Sequence, residues 1–272
     1  MSIRRLPVHK AETERRQLRV VTFNIAHGRG LSMYQGFHSM KGILKNMDRI
    51  GELLRKHRAD VIALQEVDED SHWNQNINLL AELQTHTGFE HAVLGVNNHR
   101  EGRKPLKYGN AILSRYPVQS WENMRFGNKN LGEKGFLYAE VQADGGVIVP
   151  IINLHLDYKS KKNRIVQIEH IIDWLRERKH PGEETRRLAP IVCGDFNSRS
   201  LLAGDAVRHL FNYLGDHGHY AIYPVNSRTF PAHWPSKGID FILLPEPYKK
   251  LHCEVLPTYT SDHCPVLLEF EY

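Results

Sequence analysis

The chain has 272 residues, 41% hydrophobic and 25% charged, with a net charge of +5 and a pI near 9.0. That balance is globular, excludes a disordered or disulfide-dense chain, and supports a sizeable core without staples. The charge favours anionic partners without identifying nucleic acid, the three cysteines Cys193, Cys253 and Cys264 form no disulfide framework and suit a reducing, cytoplasmic compartment, and no apolar run approaches the ~20 residues of a membrane span.

The opening segment, "MSIRRLPVHKAETERRQLR", has no apolar stretch behind its charges and does not read as a secretory signal; Glu12 and Glu14 interrupt a mitochondrial type of presequence. Residues 1–17 read as a flexible basic segment and 18–272 as one domain. "LRVVTFN" is the first strand. "GILKNMDRIGELLRKH" is a helix with Ile43, Met47, Ile50 and Leu54 on one face. "DVIALQEV" is a strand, and "INLLAELQTHTG" a short helix that Gly88 stops. From 89 to 156 the strands "HAVLGV", "GNAILSR", "FLYAEVQA" and "GVIVPIINLHL" follow one another through short turns, an antiparallel pattern.

Next comes a helix, "NRIVQIEHIIDWLRER", with Ile165, Ile168, Ile172 and Leu175 on one face, then the strand "APIVCGD". "LLAGDAVRHLFNYLG" is a helix carrying Leu202, Val207, Leu210, Phe211 and Leu214, and "DFILLP" and "PVLLEFEY" are strands. Several strands are apolar on both faces, as strands covered on both sides are. The pattern predicts an α/β sandwich of two packed mixed β-sheets flanked by helices.

Four of these strands stop on a chemically able residue: Asn24, Glu66, His155, and Asp195 with Asn197 behind it. Two more start from one: Asp240 opens "DFILLP", and Asp262 and His263 precede the last strand. Singly, each is ordinary as a turn residue, a solvated acid or a core histidine. Together, if the last two strands run opposite to the first four, they meet on one rim, where a rigid scaffold positions loops and ligands. A set of carboxylates, an amide and imidazoles is what a hard divalent cation and a hydrolytic water need.

The motifs "TFNIAHG", "ALQEVD", "GNAILSRYP", "INLHLD", "GDFNS", "GIDFILL" and "SDHCPV", in that order, resemble those of the metal-dependent endonuclease/exonuclease/phosphatase superfamily with the deoxyribonuclease-I-like fold, over about residues 18 to 272. The resemblance implies a four-layer α/β sandwich and a Mg²⁺- or Mn²⁺-dependent phosphoesterase. It implies that Asn24 and Glu66 hold the metal, with Asp262 beside it as a ligand or through water. Asp195, helped by Asn197, would orient or deprotonate the attacking water, His155 would bind a nonbridging phosphate oxygen, and Asp240 would pair with His263. Two departures weaken particular substrates: Ala26 stands where many abasic-site nucleases of the family have an acid, and "GDFNS" lacks the pattern of the inositol polyphosphate phosphatases.

Substrate choice falls to loops. Arg100, Arg103, Lys104, Lys107 and Tyr108 in one, and the run "YKSKKNR" at 158–164 in another, are placed to line an anionic groove. Arg115 is a further phosphate contact, and Trp73 and Trp234 are stacking surfaces or core caps. The expected substrate is a phosphate ester, with nucleic acid among the candidates and a phosphodiesterase or nuclease as the activity. The alternative is a lipid or sugar phosphoesterase, although no apolar hairpin or amphipathic anchor is legible.

Overall fold

The computed structural model describes residues 16–34, 36–127, 133–178, 188–198 and 204–272. The basic segment 1–17, apart from its last two residues, and Leu202 lie outside them.

The elements run β1 (Gln17–Asn24), α1 (Met40–Lys56), β2 (Val61–Asp68), α2 (Leu79–Thr87), β3 (His91–Arg100), β4 (Leu106–Ser114), β5 (Val118–Arg125), β6 (Gly135–Gln142), β7 (Ile148–His155), α3 (Lys161–Glu177), β8 (Ile191–Asp195), α4 (Ala206–Gly215), β9 (Tyr220–Tyr223), β10 (Asp240–Pro245), β11 (Lys249–Val255) and β12 (Val266–Glu271). They form two six-stranded mixed sheets, ordered β11-β12-β1-β2-β4-β3 and β5-β6-β7-β8-β10-β9. The helices start where the sequence supplies caps: Ser39, Asn78, Ser160 and Asp205 each accept a backbone N–H with their side chains. Gly88, left-handed at φ 72, ends α2 as expected.

Three apolar layers result. Alternate residues of a strand face opposite ways, so Val21, Ile62 and Leu64 pack under α1 and α2 while Val20, Val61 and Ala63 face the other sheet. In the second sheet Ile151, Ile191 and Cys193 face the first, whereas Ile152, Val192 and Leu243 pack under α3 and α4. The layers therefore run helix, sheet, sheet, helix.

The expected antiparallel run from 89 to 156 is present but divided. β3 and β4 pair in the first sheet and β5, β6 and β7 in the second, so the chain changes sheets near Pro117. β5, β9 and β11 were not legible as strands: they lie at or near sheet edges, and β5 and β11 are largely exposed and polar. On α3 the buried face is Ile168, Ile171, Ile172 and Trp174, with Ile165 and Leu175 only partly covered.

Between the sheets, the inward rows turn polar toward one end. Thr22, Gln65, Asn110 and Asn153 are all buried. Asn153 Nδ2 donates to the Leu64 and Ala111 carbonyls, each at 2.8 Å, across the inter-sheet gap. Gln65 Nε2 donates back to Asn153 Oδ1 at 2.7 Å and to Thr22 Oγ1 at 3.1 Å. Asn110 Nδ2 bonds the Gly135 and Asn153 carbonyls at 3.0 and 3.3 Å. Such directional contacts set the offset of one sheet on the other, which apolar contacts do not.

Replacing Asn153 with Ala removes its bonds to two carbonyls and one of the three acceptors of the Gln65 amide in a dry layer. We expect a loss of roughly 2–4 kcal/mol, read as a lower urea midpoint at unchanged slope. A midpoint shift worth less than about 0.5 kcal/mol would show that the seam contributes little to stability.

Candidate active site

The rows that carry the inter-sheet core end in charged groups. On β8 the inward row Ile191, Cys193 continues to Asp195; on β7, Ile151 and Asn153 continue to His155; on β1, Val20 and Thr22 continue to Asn24; β10 enters the same face with Asp240. Register places His155 opposite Asp195 on one side and Asp240 opposite it on the other. The strand directions are those the expectation required: β7 and β8 are parallel and β10 is antiparallel to β8, while β1 and β2 are parallel and β12 is antiparallel to β1. One cleft of about 700 Å³ is lined by Asn24, Glu66, His155, Asp195, Asn197, Asp262 and His263 together.

Two local features aim these groups. Gly194 has φ +142, and a Cβ there would collide with the Leu154 carbonyl of the neighbouring strand, so the glycine of "GDFN" lets β8 reach Asp195 without breaking the sheet. A register shift between Leu64 and Val67 holds Glu66 at φ 56. The bulge keeps Gln65 in the inter-sheet seam and lets its neighbour Glu66 line the cleft. Ala26, His27 and Asn197 are also left-handed, at φ 48, 54 and 47. Non-glycine residues in that region cost on the order of 1–3 kcal/mol each, and they gather at functional sites.

Asp195 is 1% exposed. Its Oδ2 accepts from Asn24 Nδ2 at 3.0 Å and lies 3.4 Å from His155 Nε2 and 3.7 Å from His263 Nε2. Its Oδ1 accepts from the Asn197 backbone N–H at 2.9 Å. Burial pushes its pKa up, and Asp240 adds to this against the opposing pull of His263. Asp240 holds His263 Nδ1 with both oxygens at 3.0 Å and also accepts from the Thr229 hydroxyl. Burial disfavours the His263 cation, but Asp240 and Asp195 outweigh it and raise its pKa to about 10. The Phe230 ring packs against this imidazole, with centroids 4.8 Å apart.

Glu66 lies across the cleft, its Oε1 3.9 Å from His155 Nε2 and 3.5 Å from Lys134 Nζ. Burial alone would raise its pKa; His27, Lys134, His155 and His263 overcome that and hold it far below the ordinary glutamate range. His155 itself is pushed well below the usual histidine range, by burial and then by Lys134. Asn24 donates to Asp195, while its Oδ1 accepts from Ala26 N at 2.9 Å. Asp262 pairs with Arg29 Nη2 at 2.7 Å. Asp195, Asp240 and His263 each offer a ligand atom within 4.8 Å of the others.

Sequence reasoning missed the layer behind Glu66. His27 Nε2 is 3.4 Å from Glu66 Oε2, its Nδ1 is 2.8 Å from Asp68 Oδ2, and Trp73 Nε1 donates to Asp68 Oδ1 at 3.0 Å. Tyr108 meets the His27 ring edge-on. Asp68 lies in the acidic run "EVDED" and is nonetheless fully buried. The available signal was His27 in "IAHG", a polar ring in an otherwise small and apolar turn. Lys134 and Thr229 carried no local signal at all.

The proposed groove residues divide. Tyr158, Lys159 and Arg164 line the cleft, whereas Arg100, Arg103, Lys104 and Lys107 do not. Lys107 pairs with Glu69 and Arg100 with the Lys104 carbonyl. Arg115 bonds the Ala59 carbonyl and lies over Phe89, away from the cleft. Trp73 backs the site, and Trp234 is 78% exposed in the turn between Phe230 and Lys237.

Comparison with known proteins agrees with this architecture. A curated relative, described as uncharacterized protein YbhP of Escherichia coli (strain K12), is 27% identical over 175 residues. That match covers 60% of this chain and 62% of YbhP, so the chain spans about three fifths of the length of the curated relatives it matches. A solved endonuclease/exonuclease/phosphatase from Beutenbergia cavernae DSM 12333 superposes with a TM-score of 0.72 at 21% identity, covering 94% of this chain and 72% of that one. The mannosyl-6-phosphatase Bt3783 of Bacteroides thetaiotaomicron VPI-5482 superposes with a TM-score of 0.69 at 15% identity, over 94% of this chain and all of the other, 100%. The deoxyribonuclease-I-like sandwich expected from the motifs is thus the fold observed. The family model described as "Endonuclease/Exonuclease/phosphatase family" matches residues 21–263, nearly the whole chain, and the chain belongs to that family.

Proposed function

We propose that the chain is a divalent-metal-dependent phosphoesterase, a phosphodiesterase or nuclease in which Asp195 activates the attacking water. The observation that carries this reading is the convergence of Glu66, His155, Asp195 and the Asp240–His263 pair on one cleft from separate strand ends. A three-residue cluster alone would be weak; an anion-stabilising pair, a buried base and an ionised acid facing each other form a hydrolytic set.

The donors fit a hard cation. Glu66 stays ionised and reaches the cleft, and the neighbouring donors are carboxylate and amide oxygens, a set suited to Mg²⁺ or Mn²⁺ rather than to a thiophilic metal. Glu66 and Asn24 would hold the ion, with Asp262 beside it directly or through water. Asn24 keeps one lone pair of Oδ1 for that purpose while its amide nitrogen orients Asp195. Asp240 is the weakest ligand of the close trio, because His263 and Thr229 occupy its oxygens. When bound, the ion neutralises phosphate charge and stabilises the leaving oxygen.

The chain's own groups do the rest. Asp195, with its pKa raised by burial, is a stronger base than a solvated carboxylate and takes the proton of water aligned by Asn197. His263, kept cationic by Asp240, faces the developing charge on phosphorus-bound oxygen. Neutral His155 donates from Nε2 to a nonbridging oxygen when its Nδ1 accepts from Lys134, 3.3 Å away. A cytoplasmic setting agrees with three free cysteines. One observation favours the lipid alternative: Met33, Tyr34 and Phe37 are 84%, 68% and 83% exposed, and Met33 lines the cleft. Met33 thus gives the cleft mouth one exposed apolar residue, which supports that reading.

Hydrolysis of bis-p-nitrophenyl phosphate tests the core reading. We expect turnover with Mg²⁺ or Mn²⁺, loss of it in EDTA, and a fall of roughly 10³-fold or more in kcat for Asp195→Asn with native circular dichroism retained. Wild-type-like turnover in that variant would remove Asp195 from the chemistry. Parallel assays on single-stranded DNA, RNA, sphingomyelin and a sugar phosphate sort the substrate classes.

The pH profile tests the dyad. Because Asp240 raises the pKa of His263, the cation survives well above neutral pH and is lost only as pH climbs toward about 10. In Asp240→Asn we expect the alkaline limb of kcat/KM to move down toward the ordinary histidine range near ~6.5. An unmoved limb would show that His263 does not act as a cation.

His27→Gln tests the layer behind Glu66. Mn²⁺ affinity followed by electron paramagnetic resonance should weaken by roughly 10–100-fold. Unchanged affinity would make His27 a packing residue only.

A further inference from the structure

We propose that the catalytic cleft has a subsite for anionic groups beyond the phosphate that is cleaved, formed by Lys159 and Lys237 on opposite sides of Asp195. The inference rests on the phosphoesterase reading and adds the substrate class: a phosphoester carrying further phosphates, as a polynucleotide strand or a bisphosphorylated small molecule does.

The argument begins with which charges in the cleft are already matched. Its acids are Glu66, Asp195, Asp205 and Asp262, and each faces a cation within the same cleft. Lys134 is 3.5 Å from Glu66, His263, which Asp240 also holds at 3.0 Å, is 3.7 Å from Asp195, Arg164 is 3.7 Å from Asp205 and Arg29 is 2.7 Å from Asp262. Two cations are left over. The ammonium groups of Lys159 and Lys237 have no ion-pair partner among the described residues; each lies over an aromatic ring, Tyr158 at 5.2 Å and Phe230 at 5.6 Å. A divalent ion already more than offsets the single negative charge of a scissile diester, so neither lysine is needed for that phosphate, and both remain for negative charge that the rest of the substrate brings.

Their place in the fold gives that charge a direction. Lys159 lies four residues beyond His155 at the end of β7, and Lys237 three residues before Asp240 at the start of β10. β7 and β10 are the two neighbours of β8. Strands lie about 4.8 Å apart, so the two lysine-bearing loops flank Asp195 across a span of about 10 Å. A substrate that crosses the strand ends with its scissile group at Asp195 offers its neighbouring groups to these loops. Tyr158 and Phe230, both in the cleft lining, give its rings or sugars an apolar floor.

A local conflict in the sequence supports this. α3 begins with Lys161 and Lys162 and has no acid in its first turn. Cations at a helix N-terminus oppose the helix dipole, a cost of several tenths of a kcal/mol each, roughly 0.3–1. Arg164, on the next turn and in the cleft, leaves its Nε without a partner among the described residues. An anion seated beside Lys159 relieves both; rules of local stability are broken where function demands it.

Kinetics on two kinds of substrate test the subsite. Wild type, Lys159→Ala, Lys237→Ala and the double variant are assayed on bis-p-nitrophenyl phosphate, which has a single phosphate, on a short single-stranded oligonucleotide and on a sugar bisphosphate. We expect kcat/KM on the multiply phosphorylated substrate to fall about tenfold per lysine, clearly more than on bis-p-nitrophenyl phosphate. Lys→Arg should restore most of it. The salt dependence of oligonucleotide binding, followed by fluorescence anisotropy with a phosphorothioate strand, should lose about 0.7 of slope per lysine. A selective loss on the oligonucleotide alone identifies a strand, and one on the bisphosphate alone a small molecule. Equal losses on all substrates, or binding unaltered by both lysines, overturns the subsite while hydrolysis of the simple diester leaves the phosphoesterase reading intact. If wild type hydrolyses nothing, that reading fails, and the anisotropy result still decides whether the lysines hold anions.

Discussion

The two sheets of this protein could slide on one another if only their apolar faces met. Leucine, isoleucine and valine rows tolerate many offsets, because dispersion and burial are weakly directional. Amide hydrogen bonds are not so tolerant. Asn153 on β7 reaches two carbonyls of the facing sheet and receives Gln65 in return, so one offset satisfies all partners. That offset decides whether Glu66, carried by the first sheet, faces His155 and Asp195, carried by the second.

A gradient of polarity along the same inward rows then builds the site. At the closed end the residues are aliphatic, as Ile191 and Ile151 are; in the middle they are amides; at the open end they are charged. Each layer prepares the next. The amide layer satisfies backbone carbonyls that the bulge at Glu66 and the close approach of strands would otherwise strand. The charged layer is stable because its members are paired: Asp240 with His263, Glu66 with His27 and Lys134. An isolated charge at such depth would be strongly disfavoured.

The same pairing separates the acid–base properties of chemically similar groups. Glu66, part-buried, and Asp195, buried, are both carboxylates, yet one is held ionised by the positive charge of His27, Lys134 and His263 and the other is pushed toward its neutral form by burial and Asp240. His263 and His155 differ in the opposite sense, because a carboxylate backs the first and a lysine the second. Environments that drive like groups apart allow one cleft to contain an ionised carboxylate, a carboxylate of raised pKa, a cationic imidazole and a neutral one.

Much of this was legible from the sequence alone. Period-two rows with apolar residues on both faces implied covered sheets, and "GDFN", "QEV" and "SDH" marked strand ends where chemistry gathers, because such patterns are local consequences of backbone geometry. Glycine in "GDFN" is local too, since only a residue without a Cβ passes the Leu154 carbonyl. What the tertiary structure alone decided was everything that depends on neighbours distant in the chain. The edge strands β5, β9 and β11 are defined by partners rather than by pattern, and Arg115, Lys107 and Arg100 look like free cations in sequence but are engaged by the Ala59 carbonyl, Glu69 and the Lys104 carbonyl. Asp68 reads as part of a solvated acidic run until His27 and Trp73 close over it. Burial, ion pairing and the offset of two sheets are properties of contacts made across tens to hundreds of residues, and no window of sequence contains them.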